Sequence, residues 1–440
     1  MLSRLGIAFS VIAIGLAPVG AWELPPDNGT MGKDAVAAIL SGNDYPEDSG
    51  YKQSIDFIDF SANGHKFTQG VVTLTPDKPQ FRNGKKIVVV GGEPGSEYAM
   101  DFIFTVEGKE GPAVWLAKRG VTFVALTRVG RWNFLAPTNG SWETVPIGQR
   151  MPVFSREQES HWPESDYIVR KSGVSDASSA SSSVFRTPRD GTALQKYMIA
   201  TTGNVFIEGY RLALEKAITA RQNSFVLFWG LSTGGSSLYP LAKYYTPDGY
   251  LGWGTSTTGL AAAAGRARTG NFNNIYEQNA LRVRERGLDD LEFYTKDVDP
   301  ETRAKWWQAV QKDPRFKGTE DAPMQLSAGA LTEHALRLWY SDFLPAETRK
   351  RGLAALIQDM FEPSYPPAEL KKVPVLDLNG TMDEALPPAT VDSNRKVMEP
   401  YVKKYRVGRI EGLHHYLFTQ DSIKTVGTTW MKYIESGYFD

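Results

Sequence analysis

The chain is organised as short apolar runs separated by longer stretches of mixed, helix-like periodicity. Ile55–Phe60 alternates apolar and polar side chains, Asn63-Gly64 is a two-residue turn signal, and Phe67–Leu74 returns as the second arm of a hairpin. Ile87–Val90 and Phe225–Trp229 are continuously apolar instead, and Val121–Leu126 is nearly so, which predicts strands buried on both faces. Tyr250–Gly254, Val373–Leu378 and Tyr405–Ile410 predict further short strands, and helical periodicity falls around Val114–Lys118 and over Tyr197–Ala220. Strands alternating with helices place the chain in the α/β class, with a mostly parallel twisted sheet covered by helices on both faces.

Three regions break that rhythm. Residues 22–50 are rich in Gly, Pro, Asp and Asn and predict a loose lead-in, and residues 172–187 are Ser-rich and predict a flexible surface loop. Between about 259 and 370 no strand-like run occurs. Amphipathic stretches at Asn274–Phe293, Glu301–Lys312 and Leu331–Phe343 predict a helical cap inserted into the core. The expected division is a core over 22–258, a cap over 259–369 and the rest of the core over 370–440. Trp306, Trp307, Trp339 and Tyr340 either pack that cap or line an apolar or aryl pocket beneath it.

Residues 1–21 have the pattern of a secretory signal. Arg4 gives the positive start, Leu5–Leu16 the apolar stretch, and Val19-Gly20-Ala21 the small-residue cleavage site before Trp22. The apolar stretch is shorter than the roughly 20 residues that a membrane span needs, so a secreted or periplasmic protein with no stable span is expected. The 440 residues contain no cysteine, which removes disulfides, thiolate metal sites and a cysteine nucleophile together. A formal net charge of −1 and the lack of any basic run argue against nucleic acid as a partner.

Candidate chemistry centres on Gly230-Leu231-Ser232-Thr233-Gly234, a G-x-S-x-G pattern. In a chain with 41 glycines the pattern alone is weak. Its context strengthens it: Phe225–Trp229 supplies the strand, and Gly234-Gly235-Ser236-Ser237 followed by Leu238–Tyr245 supplies a closely packed helix start. Such an elbow projects the serine as a nucleophile, which needs a base near neutral pKa and a carboxylate to orient it. Of five histidines, His65, His161 and His334 are explained by a turn, a loop and a cap helix. His414 and His415 alone come after both the serine and the last strand, in the chain order serine, acid, histidine.

Asp383 is the best-placed acid, in Asn379-Gly380-Thr381-Met382-Asp383 just beyond a strand end, where ligand chemistry concentrates in parallel sheets. Asp377 falls inside the strand and is expected to be a hydrogen-bonded structural carboxylate, with Glu384 the next acid to test. For the developing oxyanion, the backbone N–H of Thr233 and that of Glu93, in Gly91-Gly92-Glu93-Pro94-Gly95-Ser96, are the natural donors. The histidines are scattered or adjacent, without helix-spaced ligand partners, so neither metal nor other cofactor is expected.

Val88–Gly95 resembles the oxyanion loop of the α/β-hydrolase superfamily, where a His-Gly-Gly-Pro-Gly pattern is common; here Gly91 replaces the histidine and Glu93 stands where a small residue is usual. Val373-Pro374-Val375-Leu376, Asn379–Asp383 and Pro387-Pro388 resemble the acid segment of the prolyl and tripeptidyl aminopeptidase branch, and Ile410-Glu411-Gly412-Leu413-His414-His415 resembles the family's Ile-Glu-Gly-x-Gly-His ending. Aligned on Ile410-Glu411-Gly412 the family histidine falls on His415; aligned on Gln420 it falls on His414. The resemblance covers about 55–260 and 370–436 and leaves out the cap.

Residues and resemblance together imply an α/β-hydrolase fold carrying a Ser-His-Asp triad that hydrolyses a small-molecule carboxylic ester through an acyl-enzyme. An aminopeptidase-like amide hydrolase, with Glu93 pairing a substrate ammonium, is the neighbouring alternative. A catalytically silent binding protein or a lyase on the same scaffold are the others. No sequence feature sets an oligomeric state.

Overall fold

Why the apolar runs become strands is visible in what covers them. In the computed structural model, β5 (Lys85–Gly92) turns Ile87 and Val89 to one apolar cluster and Val88 and Val90 to another on the opposite face. β9 (Ser224–Ser232) does the same with Phe225, Leu227, Trp229 and Leu231 against Val226 and Phe228. A strand buried on both faces has no polar side to alternate, hence the continuous runs. The residues described are 22–92, 102–103, 110–126, 129, 155, 165, 167–171, 184–188, 191–193, 203–219, 223–232, 238–255, 368–383, 386–413 and 419–440.

The remaining strands are β1 (Thr30–Met31), β2 (Tyr51–Ala62), β3 (His65–Pro76), β4 (Phe81–Arg82), β6 (Thr122–Leu126), β10 (Gly249–Thr255), β11 (Pro374–Gly380) and β12 (Lys404–Ile410), with β7 (Tyr167–Lys171) and β8 (Val184–Pro188) forming a separate antiparallel hairpin. Among the described residues the main sheet has ten strands in the order β1-β12-β11-β10-β9-β5-β6-β3-β2, with β4 beside β5. From β6 to β12 its neighbours along that order pair in parallel, and β3 runs antiparallel to both β2 and β6. With the short β1 and β4 set aside, this order and polarity are those of the α/β-hydrolase fold, which the sequence resemblance implied. The Asn63-Gly64 hairpin forms as expected, with both turn residues at positive φ.

Helices cover both faces. α1 (Lys33–Ser41), α2 (Pro112–Ala117) and α5 (Gln420–Glu435) are associated on one side, where Trp229, Trp253 and Trp430 pack edge to face at 5.1 and 6.2 Å between ring centroids about Trp430. α5 opens with a reciprocal Thr419–Ser422 capping box, which fixes where the chain re-enters helix after β12. α3 (Gly203–Thr219) and α4 (Pro388–Met398) lie on the other face, with Tyr210, Leu214 and Val391 in its core. No helix among the described residues is long and apolar enough to cross a membrane.

Two expectations change. The lead-in at 22–50 contains β1, paired in parallel with β12, and α1, packed against α5; Trp22, Met31 and Ile39 form a small core there. Its anchors are single apolar residues in an Ala-rich, Gly-flanked context, too sparse to register as periodicity. The Ser-rich region, expected as loop through 187, gives way to β8 at Val184, where Val184–Pro188 pairs with Tyr167–Lys171. The predicted signal segment 1–21, the cap helices and residues 172–183 lie outside the described residues.

Candidate active site

The C-terminal ends of β9, β10, β11 and β12 lie side by side, the edge at which parallel sheets place their chemistry. Ser232 is the last residue of β9. Its neighbour in register on β10 is Thr255, reached through an irregularity: Gly252 pairs with Gly230, Trp253 with Leu231, and then Thr255 with Ser232. The extra residue, Gly254, has φ of 50° and forms a bulge. Residues 233–237, where the sequence predicts the elbow, lie outside the described residues, and Tyr239–Lys243 is a 3-10 helix where the sequence predicts a continuing helix.

Asp383 lies three residues past β11 and is 3% exposed. Its Oδ1 accepts the backbone N–H of Leu386 at 2.6 Å, and its Oδ2 accepts from Asn379 Nδ2 at 3.2 Å. The same amide nitrogen donates to the carbonyl of Leu386 at 3.0 Å, so Asn379 and the 386 peptide hold the carboxylate from two sides. Pro387 caps α4 and Pro388 is its first residue, which ends the loop sharply.

The loop carrying this acid is stitched to the loop that follows β12. Thr381 N donates to Ile410 O at 3.0 Å, Met382 N to Leu413 O at 3.1 Å, and Gly412 N to Thr381 Oγ1 at 3.0 Å. Approach is so close at Gly380 that a Cβ there would overlap the Leu413 carbonyl. The chain at Leu413 leads directly into His414 and His415, which lie outside the described residues, as do Glu93, Thr233 and Glu384. Glu93 immediately follows Gly92, the end of β5.

Asp377 is fully buried within β11, as expected of a structural carboxylate. Its oxygens accept from Thr255 N at 3.3 Å, Thr255 Oγ1 at 2.7 Å and the Tyr405 hydroxyl at 3.3 Å. Burial pushes its carboxyl up to about 7, against the opposing effect of those bonds, and the charge of Asp383 adds to the rise. Burial, with the nearby Asp377 charge, also raises the Tyr405 phenol well above its ordinary value. Sequence reasoning missed Asn379, Thr255 and Asn394, whose Nδ2 donates to the Thr255 carbonyl at 2.8 Å. Only Asn379 had a signal, its place in the Asn-Gly-Thr-Met-Asp segment.

No protein-family description matches the chain, and no curated protein matches it in sequence. Solved structures do match. The chain is similar to a thermostable carboxyl esterase from Bacillus coagulans, at 13% identity over 88% of this chain and 99% of that one, with a TM-score of 0.44. It is similar to an epoxide hydrolase from Vigna radiata, at 12% identity over 87% and 98% with a TM-score of 0.39. It is also similar to an acylaminoacyl peptidase from Pyrococcus horikoshii, at 10% identity over 87% of this chain and 41% of that one, with a TM-score of 0.35. These are α/β-hydrolase-fold proteins, and the same class is assigned here from the order and polarity of the sheet.

Proposed function

We propose that the protein is a serine hydrolase that cleaves a small-molecule carboxylic ester. Ser232 attacks the acyl carbon while His415 takes its proton; Asp383 holds the imidazole and stabilises its cation. The N–H groups of Glu93 and Thr233 receive the oxyanion. The alcohol leaves with the proton held by His415, and water then releases the acid by the same path in reverse roles. A substrate with an apolar or aryl acyl group suits the aromatic residues of the cap sequence.

One observation carries this reading: the loop bearing Asp383 is tied by backbone hydrogen bonds to the segment that leads into His414-His415, two strands from the end of β9 at Ser232. A base must be held beside its orienting carboxylate, and hydrogen bonds that reach Leu413, the residue before the histidines, support that reading. Export after cleavage at Ala21 belongs to the same proposal. Trp22, the first residue of the mature chain, donates from Nε1 to Asp44 at 2.6 Å and lies 3.9 Å beneath the Lys432 ammonium, so a chain starting there keeps its anchor.

Hydrolysis of matched p-nitrophenyl esters and aminoacyl p-nitroanilides by the purified mature chain, beside Ser232→Ala, tests the proposal. Ester turnover that disappears in the variant supports it. Preference for free-amine anilides moves the assignment to an aminopeptidase, and silence on every substrate removes hydrolysis.

A further inference from the structure

β11 buries a carboxyl group that the proposed reaction does not use. Asp377 stands between Leu376 and Leu378, and its own face of the sheet is lined by Val375, Val407 and Val391. An apolar residue would fill that position without the several kcal/mol that burying an ionisable group costs. The group is instead built in from both neighbouring strands. Tyr405 donates to it from β12, and Thr255 donates both its N–H and its hydroxyl from β10. Gly252, its partner in register, has no side chain to obstruct it: a Cβ there would collide with Asp377 Oδ1 and come within 2.9 Å of Thr255 Oγ1.

All of this converges on Thr255, whose carbonyl is taken in turn by Asn394 of α4. Thr255 sits just past the Gly254 bulge and is the residue registered against Ser232. A bulge interrupts the ladder and leaves the strand end loosely specified unless other bonds replace it. We propose that Asp377 is a positioning residue for the nucleophile, holding the bulged end of β10 through Thr255 so that the end of β9 at Ser232 keeps one conformation. This rests on the assignment of Ser232 as nucleophile. A displacement of about 1 Å at a reacting group costs on the order of a hundredfold in rate, so such a support acts on kcat and leaves substrate affinity alone.

The test compares the purified mature chain with Asp377→Leu, Asp377→Asn, Thr255→Val and Thr255→Ser. It measures the rate of covalent labelling by a fluorophosphonate and kcat and KM on a p-nitrophenyl ester, each per folded molecule. Asp377→Leu and Thr255→Val are expected to lose roughly ten- to a hundredfold in labelling rate and kcat, with KM within about twofold. Thr255→Ser keeps both donors and is expected to restore the rate. Asp377→Asn, whose amide still accepts from Thr255 N and can donate to its hydroxyl, is expected to fall between. Should Asp377→Leu fail to fold, Thr255→Val against Thr255→Ser decides alone. Wild-type labelling rates in folded Thr255→Val, or losses confined to KM, overturn the positioning role and leave the serine assignment standing. A wild-type chain that takes no label and turns over no ester overturns the serine assignment, and the positioning role with it.

Discussion

The backbone N–H of Met382 donates to the carbonyl of Leu413 across 3.1 Å, joining the residue before the acid to the residue before the two histidines. Sheet register brings β11 and β12 together, but it ends at Gly380 and Ile410. Past those residues, the relation between the two loops depends on the bonds made by Thr381, Met382 and Gly412 and on the bare backbone of Gly380. Gly380→Ala is expected to push the loops apart, lowering stability by about 1–3 kcal/mol as overpacking does. Urea unfolding reads the stability, and ester turnover is expected to fall with it in the fraction that stays folded.

The two histidines separate by substitution. His415→Gln is expected to lower kcat by roughly four to six orders of magnitude, the range seen when a triad base is removed. His414→Gln is expected to retain most of the turnover, and a kcat comparison under saturating ester checks the pair. The reverse ranking moves the base to His414.

Stability depends on pH through Asp377. Its pKa is raised from 3.8 to about 7 in the fold, so the folded state binds a proton that the unfolded chain has released over that interval. The contribution is complete below pH of about 4 and is lost as pH rises through about 7, amounting to ~4 kcal/mol across the window. The groups facing it are Tyr405, which stays neutral there, and the carboxylate of Asp383, whose charge acts in the same direction. Asp377→Asn has nothing to titrate at this position. Its unfolding free energy, measured by urea between pH 4 and pH 8, is expected to decline less steeply than that of the wild type.

How much of this was legible in the sequence depends on where the physics is local. Buried parallel strands announce themselves as unbroken apolar runs, so Ile87–Val90 and Phe225–Trp229 were readable, as was the Asn63-Gly64 turn. The places of two aspartates were readable, Asp383 just beyond its strand and Asp377 buried within it. The unreadable part rests on contacts between distant segments. The role of Thr255 exists only because a one-residue bulge sets it opposite Ser232 while Asp377, 122 residues away, accepts both its donors. The small core of Trp22, Met31 and Ile39 escaped for the same reason, since its residues gain their meaning only against α5 and β12.

The oxyanion assignment makes its own demand on the 93 peptide. Glu93→Pro removes the N–H and is expected to lower kcat by about 10²–10³-fold with little change in KM. Glu93→Ala keeps the N–H and is expected to lose far less on the same ester. Equal losses in the two variants would mean that the side chain, and not the peptide, is what the reaction uses.

The most direct measurement is covalent labelling of the purified mature chain with a fluorophosphonate, followed by peptide mapping and a parallel ester assay on labelled and unlabelled protein. Label on Ser232 alone, with turnover lost in proportion to its occupancy and absent in Ser232→Ala, is the expected result. Label on another residue, or ester turnover that persists in Ser232→Ala, would contradict Ser232 as the nucleophile.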